Sequence, residues 1–376
     1  VAHDRGVSAP EGAVAEAAPA GAARPAALPG RSRWLLTGAY VLIAVAILLD
    51  LLTGPKTTFS SILAAVPALA AAGARSARVP LAAGALAAIA VGLLALANQD
   101  VAAAVHLEAV AAVVAVTLAS AAGVVLVKTR ERELQQVRTV AEAAQRALLR
   151  PVPGRIGRLR VGVRYLAAAA EARIGGDLYE VLETGYGTRV LLGDVQGKGL
   201  AAVDTAADVL GVFRAEARIE PDLARLAERL DSALAQNRQN ERFVTAVLLA
   251  IPPTQDLVEV VNCGHPPPLL RRRSGTVSEV EPPAYAPPLG LRALTGAPLR
   301  GRTVDLEPGD LLLLHTDGVS ETRDSHDRFY PLATRLATFR AQEPGALLDE
   351  LLADVVAYSA DGMTDDAAVL AVRREA

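Results

Sequence analysis

Arg189-Val190-Leu191-Leu192-Gly193-Asp194-Val195-Gln196-Gly197-Lys198-Gly199 decides how this 376-residue chain reads. The apolar run predicts a strand over 188–193 that stops at Asp194, and the glycine-rich loop behind it leads straight into a helix predicted over 199–217. A carboxylate at a strand end sits on a rigid scaffold, and neighbouring glycines let backbone and ligand approach closely. Three further acidic motifs occupy comparable places. Gly175-Gly176-Asp177 precedes a strand predicted at 178–183, Thr316-Asp317-Gly318 ends the strongly apolar strand 310–316, and Asp365-Asp366 stands at the start of a last strand, 366–372. A single Asp-Gly pair is common in turns and carries little. Carboxylates repel one another, so a fold that converges several of them usually does so to hold divalent cations.

The donor type narrows the ion. Hard oxygen ligands suit Mg2+ or Mn2+, whereas zinc calls for His and Cys. Two such ions roughly 3.5 to 4 Å apart share and acidify a water for in-line attack at phosphorus, so hydrolysis needs no protein nucleophile. Other chemistries fit less well. Cys263 is the single cysteine and lacks the arginine six residues on that a thiol phosphatase uses to clamp phosphate, since Leu269 stands there. It also excludes an intramolecular disulfide and a zinc site built from cysteines. Gly197-Lys198 is not a nucleotide P-loop, because Gly199 occupies the Ser or Thr position. Gly175-Gly176-Asp177 resembles the opening of a motif in enzymes that make cyclic dinucleotides, but theirs continues Glu-Phe and here Leu178-Tyr179 follow. A net charge of -3 gives no reason to expect nucleic acid.

Further strands are predicted at 160–166, 243–251, 256–262, 268–272 and 300–305, and further helices at 221–237 and 345–359. Strands grouped around helical pairs predict layered sheets flanked by helices, not a doubly wound parallel fold. Upstream the texture differs, and the 52% hydrophobic content points to a membrane region. Residues 1–30 read as a disordered tail rich in Ala, Pro and Gly. Four apolar stretches follow within 31–127: Trp34 to Leu52, Thr57 to Ala74, Val79 to Ala97 and Val101 to Val127, each near the length that crosses hydrocarbon. Arg24, Arg31 and Arg33, then Arg75 and Arg78, then Lys128, Arg130 and Arg132 flank alternate ends, which predicts both termini on the cytoplasmic side. Asp50, His106 and Glu108 fall in or beside these stretches and read either as a sensing site or as groups wetted at the outer surface. In the 128–150 segment Leu134, Val137, Ala141, Ala144 and Leu148 recur at helical spacing, as a dimer seam carrying a signal or as a face packed on the next domain. Pro151, Pro153 and Gly154 then open a domain over 151–376.

With these motifs in order, the chain resembles the metal-dependent (PPM-type, protein phosphatase 2C-like) serine/threonine phosphatases, in the bacterial SpoIIE/RsbU-like branch. The resemblance rests on Ile174-Gly175-Gly176-Asp177-Leu178-Tyr179-Glu180, Gly193 to Gly199, Asn262-Cys263-Gly264-His265-Pro266-Pro267-Pro268, Leu314-His315-Thr316-Asp317-Gly318-Val319-Ser320-Glu321 and Asp365-Asp366. It implies an α/β fold in which a β-sandwich carries helices on both outer faces, and the apolar stretches upstream add an all-α transmembrane region before it. It implies two Mn2+ or Mg2+ ions, with Asp194 bridging both, Asp317 and Asp365 completing one, and Asp177 with the backbone carbonyl of Val195 serving the other. It also implies a substrate class, phosphoserine or phosphothreonine on small anti-anti-sigma (STAS-type) proteins in a partner-switching pathway, while the apolar spans predict that the domain works from the bacterial cytoplasmic membrane. The competing reading is a membrane receptor whose inactive phosphatase-like domain only docks partners. Glu180 stands where relatives often have Asp and is not counted as a ligand, and Ala367 and Ala368 replace a frequent Thr. Lys198 reads either as a group drawn to the substrate phosphate or as a solvated lysine, and His265 either as a proton donor to the leaving serine or as a hydrogen-bonded turn residue.

Overall fold

The computed structural model describes residues 30–53, 57–166, 175–236, 242–360, 363 and 365–376. The tail read as disordered, up to residue 29, and Ile174 of the first acidic motif lie outside the described residues. The chain divides into two compact units between Arg132 and Glu133.

The first unit is helical: α1 (Gly30–Thr53), a 3-10 turn (Ser60–Ala65), α2 (Val66–Ala72), α3 (Arg78–Ala97) and the first part of α4 (Ala103–Leu148). Its core is made of small side chains, with Ala39, Ala46, Ala70, Ala87 and Ala90 around Leu63, Val91 and Val113. Among the described residues two helices, α3 and α4, are long and apolar enough to cross a membrane. The second apolar stretch is not the continuous span expected from sequence. Pro67 opens α2 after a 3-10 turn, and the apolar piece Ser60–Ala72 extends only about 20 Å at 1.5 Å per residue. Asp50 and His106 are likewise not wetted groups. Asp50 is buried and accepts hydrogen bonds from the Asn98 amide (2.5 Å), the Thr58 hydroxyl (3.1 Å) and the Phe59 N–H (2.5 Å), which offsets the cost of enclosing a carboxylate. His106 is buried with neither ring nitrogen paired among the described residues, whereas Glu108 is exposed.

The second unit holds β1 (Arg155–Ile156), β2 (Leu159–Leu166), β3 (Asp177–Thr184), β4 (Gly187–Val195), α5 (Leu200–Glu216), α6 (Leu223–Gln236), β5 (Val244–Ile251), β6 (Leu257–Cys263), β7 (Leu269–Arg271), β8 (Val277–Glu279), α7 (Arg292–Thr295), β9 (Arg302–Asp305), β10 (Leu311–His315), α8 (Asp317–Ser320), α9 (Leu332–Leu336), α10 (Pro344–Tyr358) and β11 (Ala367–Arg374). The strands form two antiparallel sheets, ordered β1-β2-β11-β10-β7-β8 and β3-β4-β5-β6-β9. Each predicted strand and long helix is present. The short strands β1 and β8 and the short helices α7, α8 and α9 are additions.

Burial explains why the central strands read as unbroken apolar runs. In β10, Leu312 and Leu314 enter the core between the sheets while Leu311 and Leu313 enter a second core under α9 and α10. In β4, Val190 and Leu192 face the first of these, and Leu191 faces a third core with Val209, Leu210 and Phe213 of α5 and Leu226 and Leu230 of α6. A strand covered on both faces has no polar side to alternate with. The layers therefore run helix, sheet, sheet, helix, as expected. At its lower end α4 packs on this unit through Ala141, Ala144 and Leu148 against Val203, while Leu134 and Val137 are exposed. The end of the 128–150 segment thus packs on the next domain, which is one of the two readings given to it.

Candidate active site

The strand ends carry the acids together. In the β3–β4 pair Asp177 lies directly opposite Asp194, an arrangement that costs stability when both are charged. Gly176 permits it. A Cβ at that position would run into the Val195 backbone and the Asp194 carboxylate, so only glycine lets the chain pass. The Val195 N–H donates to the Gly176 carbonyl (3.2 Å) and holds the crossing. From the other sheet come Asp317, at the start of α8 directly after β10, and Asp365, just before β11.

Thr316 joins the sheets. Its N–H donates to the Ala368 carbonyl (3.0 Å), its Oγ1 accepts the Ala368 N–H (2.9 Å), and its hydroxyl donates to Asp177 Oδ2 (3.1 Å). Every partner is buried, so the register of β10 on β11 is tied to the orientation of a carboxylate in β3.

The electrostatics record how close the acids are. Burial and the Asp194 charge, with lesser pushes from Asp366 and Asp317, hold the Asp177 carboxyl well above its ordinary range, against the Thr316 hydrogen bond. Burial, then Asp317 and Asp365, raise Asp194 to about 7, with Lys198 opposing. Asp317 is raised by burial, then by Glu321 and Asp365. A carboxylate that resists ionisation among other carboxylates gains strongly from a nearby cation. Among the described residues no three acidic, His or Cys side chains close on one point, and the Asp365 arm is engaged elsewhere: its Oδ1 accepts from Lys198 Nζ at 2.5 Å. The donors are nonetheless all hard oxygens on rigid strand ends, and the charges they would shed are shared, so the set fits Mn2+ or Mg2+ in kind.

Several neighbours of the four acids have contacts that the sequence does not disclose. Asp366 is buried, accepts the Tyr165 hydroxyl on Oδ2 (2.9 Å), and pushes up both Asp177 and Asp194. Gln145, near the end of α4, is buried and its Nε2 lies 3.2 Å from the Tyr165 hydroxyl and 3.3 Å from the carbonyls of Gly175 and Asp177. A glutamine on an alanine-rich helix announces nothing. Glu180 faces away from the acids and pairs with Arg214 of α5 (2.5 Å), which also donates to the Leu148 carbonyl (2.7 Å). His265 is buried in a turn closed by Asn262, whose amide donates to the His265 carbonyl (2.8 Å) while its Oδ1 accepts the His265 N–H (2.9 Å). Burial pushes its imidazole down to about 3, so it is neutral and bonds the Thr245 hydroxyl (3.0 Å). Of the two readings, the geometry gives the hydrogen-bonded turn. Cys263 is buried, and burial pushes its thiol up to about 12, which suits a core residue.

Residues 184–375, more than half of the chain, match the family described as Stage II sporulation protein E (SpoIIE). The chain belongs to the SpoIIE family. A curated relative, phosphoserine phosphatase RsbP of Bacillus subtilis, is 28% identical over 159 residues, which is 40% of this chain and 38% of that protein. The chain thus spans well under half the length of that relative. Among solved structures, the SiaA PP2C domain of Pseudomonas aeruginosa superposes with a TM-score of 0.55 at 18% identity, covering 66% of this chain and 99% of that one. The PP2C phosphatase domain of SpoIIE from Bacillus subtilis, with a fragment of its regulatory domain, does so with a TM-score of 0.50 at 21% identity, over 57% and 63%. At these identities the superpositions establish the fold, which is that of PP2C phosphatase domains. The two Bacillus subtilis proteins are named as a phosphoserine phosphatase and as the bearer of a PP2C phosphatase domain.

Proposed function

We propose that this SpoIIE-family chain is a membrane-anchored protein serine/threonine phosphatase dependent on two Mn2+ or Mg2+ ions. The observation that supports the reading is the register that sets Asp177 directly opposite Asp194 across β3–β4, with the charges of Asp317 and Asp365, from the other sheet, acting on Asp194. In this reading Asp194 would hold both ions, with Asp317 and Asp365 as the further ligands of one and Asp177 with the Val195 carbonyl as those of the other. Ions bound there supply charge stabilisation to phosphoryl oxygens and a water acidic enough to attack phosphorus near neutral pH. The chain's own work is preorganisation. Thr316 orients Asp177, the β3–β4 register fixes Asp194 against it, and the mutual repulsion keeps the acids poised for cations.

The membrane part of the proposal covers residues 31–127, with the 151–376 domain in the cytoplasm of a bacterium. It is supported by α3 and α4 and by large apolar side chains that face outward, such as Leu93, Leu96, Leu107 and Leu118, as lipid-facing positions do. The juxtamembrane helix, 128–150, is proposed to carry a signal, because Gln145 and the Arg214 bond to Leu148 tie its end to β3 beside Asp177. Its exposed Leu134 and Val137 suit a homodimer seam. By analogy with the relatives, the substrate is a phosphorylated anti-anti-sigma-type protein, with no nucleic-acid partner. The test is phosphate release from a phosphoserine protein by the full chain in detergent. Release is expected to require Mn2+ or Mg2+, to stop in EDTA, and to be lost in Asp194→Ala and Asp317→Ala. Release that persists in either variant refutes the two-ion site, and a chain that binds the substrate without ever releasing phosphate supports the docking-only receptor.

A further inference from the structure

Lys198 is an ion-pair partner of one of the four acids. Its Nζ lies 2.5 Å from Asp365 Oδ1, an oxygen that also accepts the Asp366 N–H (2.9 Å). Its charge reaches further, drawing down both Asp194 and Asp317. One ammonium group therefore acts on three of the acids, each from a different segment of the chain. Two features make the contact exchangeable. The lysine side chain is 31% exposed and its partner 48%, so the pair is well solvated and held weakly. Lys198 also sits between Gly197 (φ 92°) and Gly199 (φ 86°), in backbone conformations that favour glycine, so the loop re-aims the side chain without strain on a Cβ at either neighbour.

We propose that Lys198 is a tethered counter-ion that competes with a divalent cation for Asp365, and that metal binding at this carboxylate expels the lysine. The inference rests on the proposed metal site and adds to it a built-in competitor. A carboxylate oxygen already committed to an ammonium group is not free to ligate, and a +2 ion beside a +1 group on the same oxygen is repelled. The Asp365 subsite is thereby weakened relative to one built from Asp177 and Asp194. A purely orienting lysine makes the opposite prediction, since its removal would leave Asp365 less well placed and metal binding poorer.

The experiment is titration of the full chain in detergent with Mn2+ alone, following free Mn2+ by its six-line paramagnetic resonance spectrum, for the natural chain, Lys198→Met and Lys198→Arg. Lys198→Met is expected to tighten the weaker Mn2+ site by about three- to fivefold, the upper scale of an exposed ion pair, while Lys198→Arg stays within about twofold of the natural chain. In an Asp365→Asn background the Lys198→Met effect is expected to vanish. Protection of Cys263 from a thiol reagent reports that each variant is folded, because that residue is buried in the core. Unchanged or weaker Mn2+ binding in a folded Lys198→Met chain overturns the counter-ion role and leaves the metal site standing. Absence of Mn2+ binding in the natural chain overturns both.

Discussion

In metal-free protein, replacing Asp194 by Asn is expected to stabilise the second unit, and to do so more at high pH than at low. Asp194 has an ordinary carboxyl value of 3.8 and is raised to about 7 in the fold, first by burial and then by Asp317 and Asp365. The folded state therefore holds a proton that the unfolded chain has released between those two values, and stability falls as pH rises across this window. At 1.36 kcal/mol per unit the ceiling at pH 8 is about 4 kcal/mol, and because the carboxylate is only partly buried, solvent screening leaves roughly 2 kcal/mol. Asparagine has nearly the same shape and no charge, so it removes this cost. The single cysteine, Cys263, is a convenient reporter: it is buried beside α5 and α6 and reacts with 4,4′-dithiodipyridine only on opening of the unit. In EDTA at pH 8, Asp194→Asn is expected to label about 30-fold more slowly than the natural chain, as roughly 2 kcal/mol implies. The advantage shrinks to about half that free energy at pH 5.5 and disappears below the unfolded value. Equal labelling rates at pH 8, or a faster variant, would show that the acids are not packed as tightly as described. Saturating Mn2+ is expected to reverse the order, since the natural chain then gains an ion that the variant binds poorly.

Three other outcomes are accessible. Thr316→Val leaves the Ala368 N–H and Asp177 Oδ2 without their buried partner and is expected to cost about 1–3 kcal/mol in urea unfolding, with a smaller loss meaning that water fills the gap. Arg214→Met strands Glu180, which is only 3% exposed, and is expected to destabilise by about 3–5 kcal/mol, most of it recovered when Glu180→Gln is added; failure of that recovery removes the pair as the cause. Reporter fusions are expected to find residue 98 outside and residues 20, 76 and 150 inside, and any other pattern contradicts the charge argument for the spans.

The local pattern of the chain was sufficient for the main strands and long helices of the second unit and for the order of its acids, but not for the short β1, β8, α7, α8 and α9. The apolar runs of β4, β5, β10 and β11 and the turn residues between them are short-range properties, and so are the carboxylates at strand ends. A resemblance of motifs then supplied the roles proposed for Asp177, Asp194, Asp317 and Asp365. What lay beyond reach were contacts between residues far apart in sequence. Lys198 meets Asp365 across 167 positions, Thr316 meets Asp177 across 139, and Gln145 approaches Asp177 across 32 from a helix whose composition hides it. Glu180 departs from a ligand pattern in sequence but pairs with Arg214 in the fold, and Asp50, which the sequence leaves as a sensing or a wetted group, is enclosed by Asn98 and Phe59. A side chain's hydrogen-bond partner depends on how sheets stack and where loops return, and no periodicity along the chain encodes that. Composition chose which groups bear charge, and only tertiary packing decided which of those charges face one another.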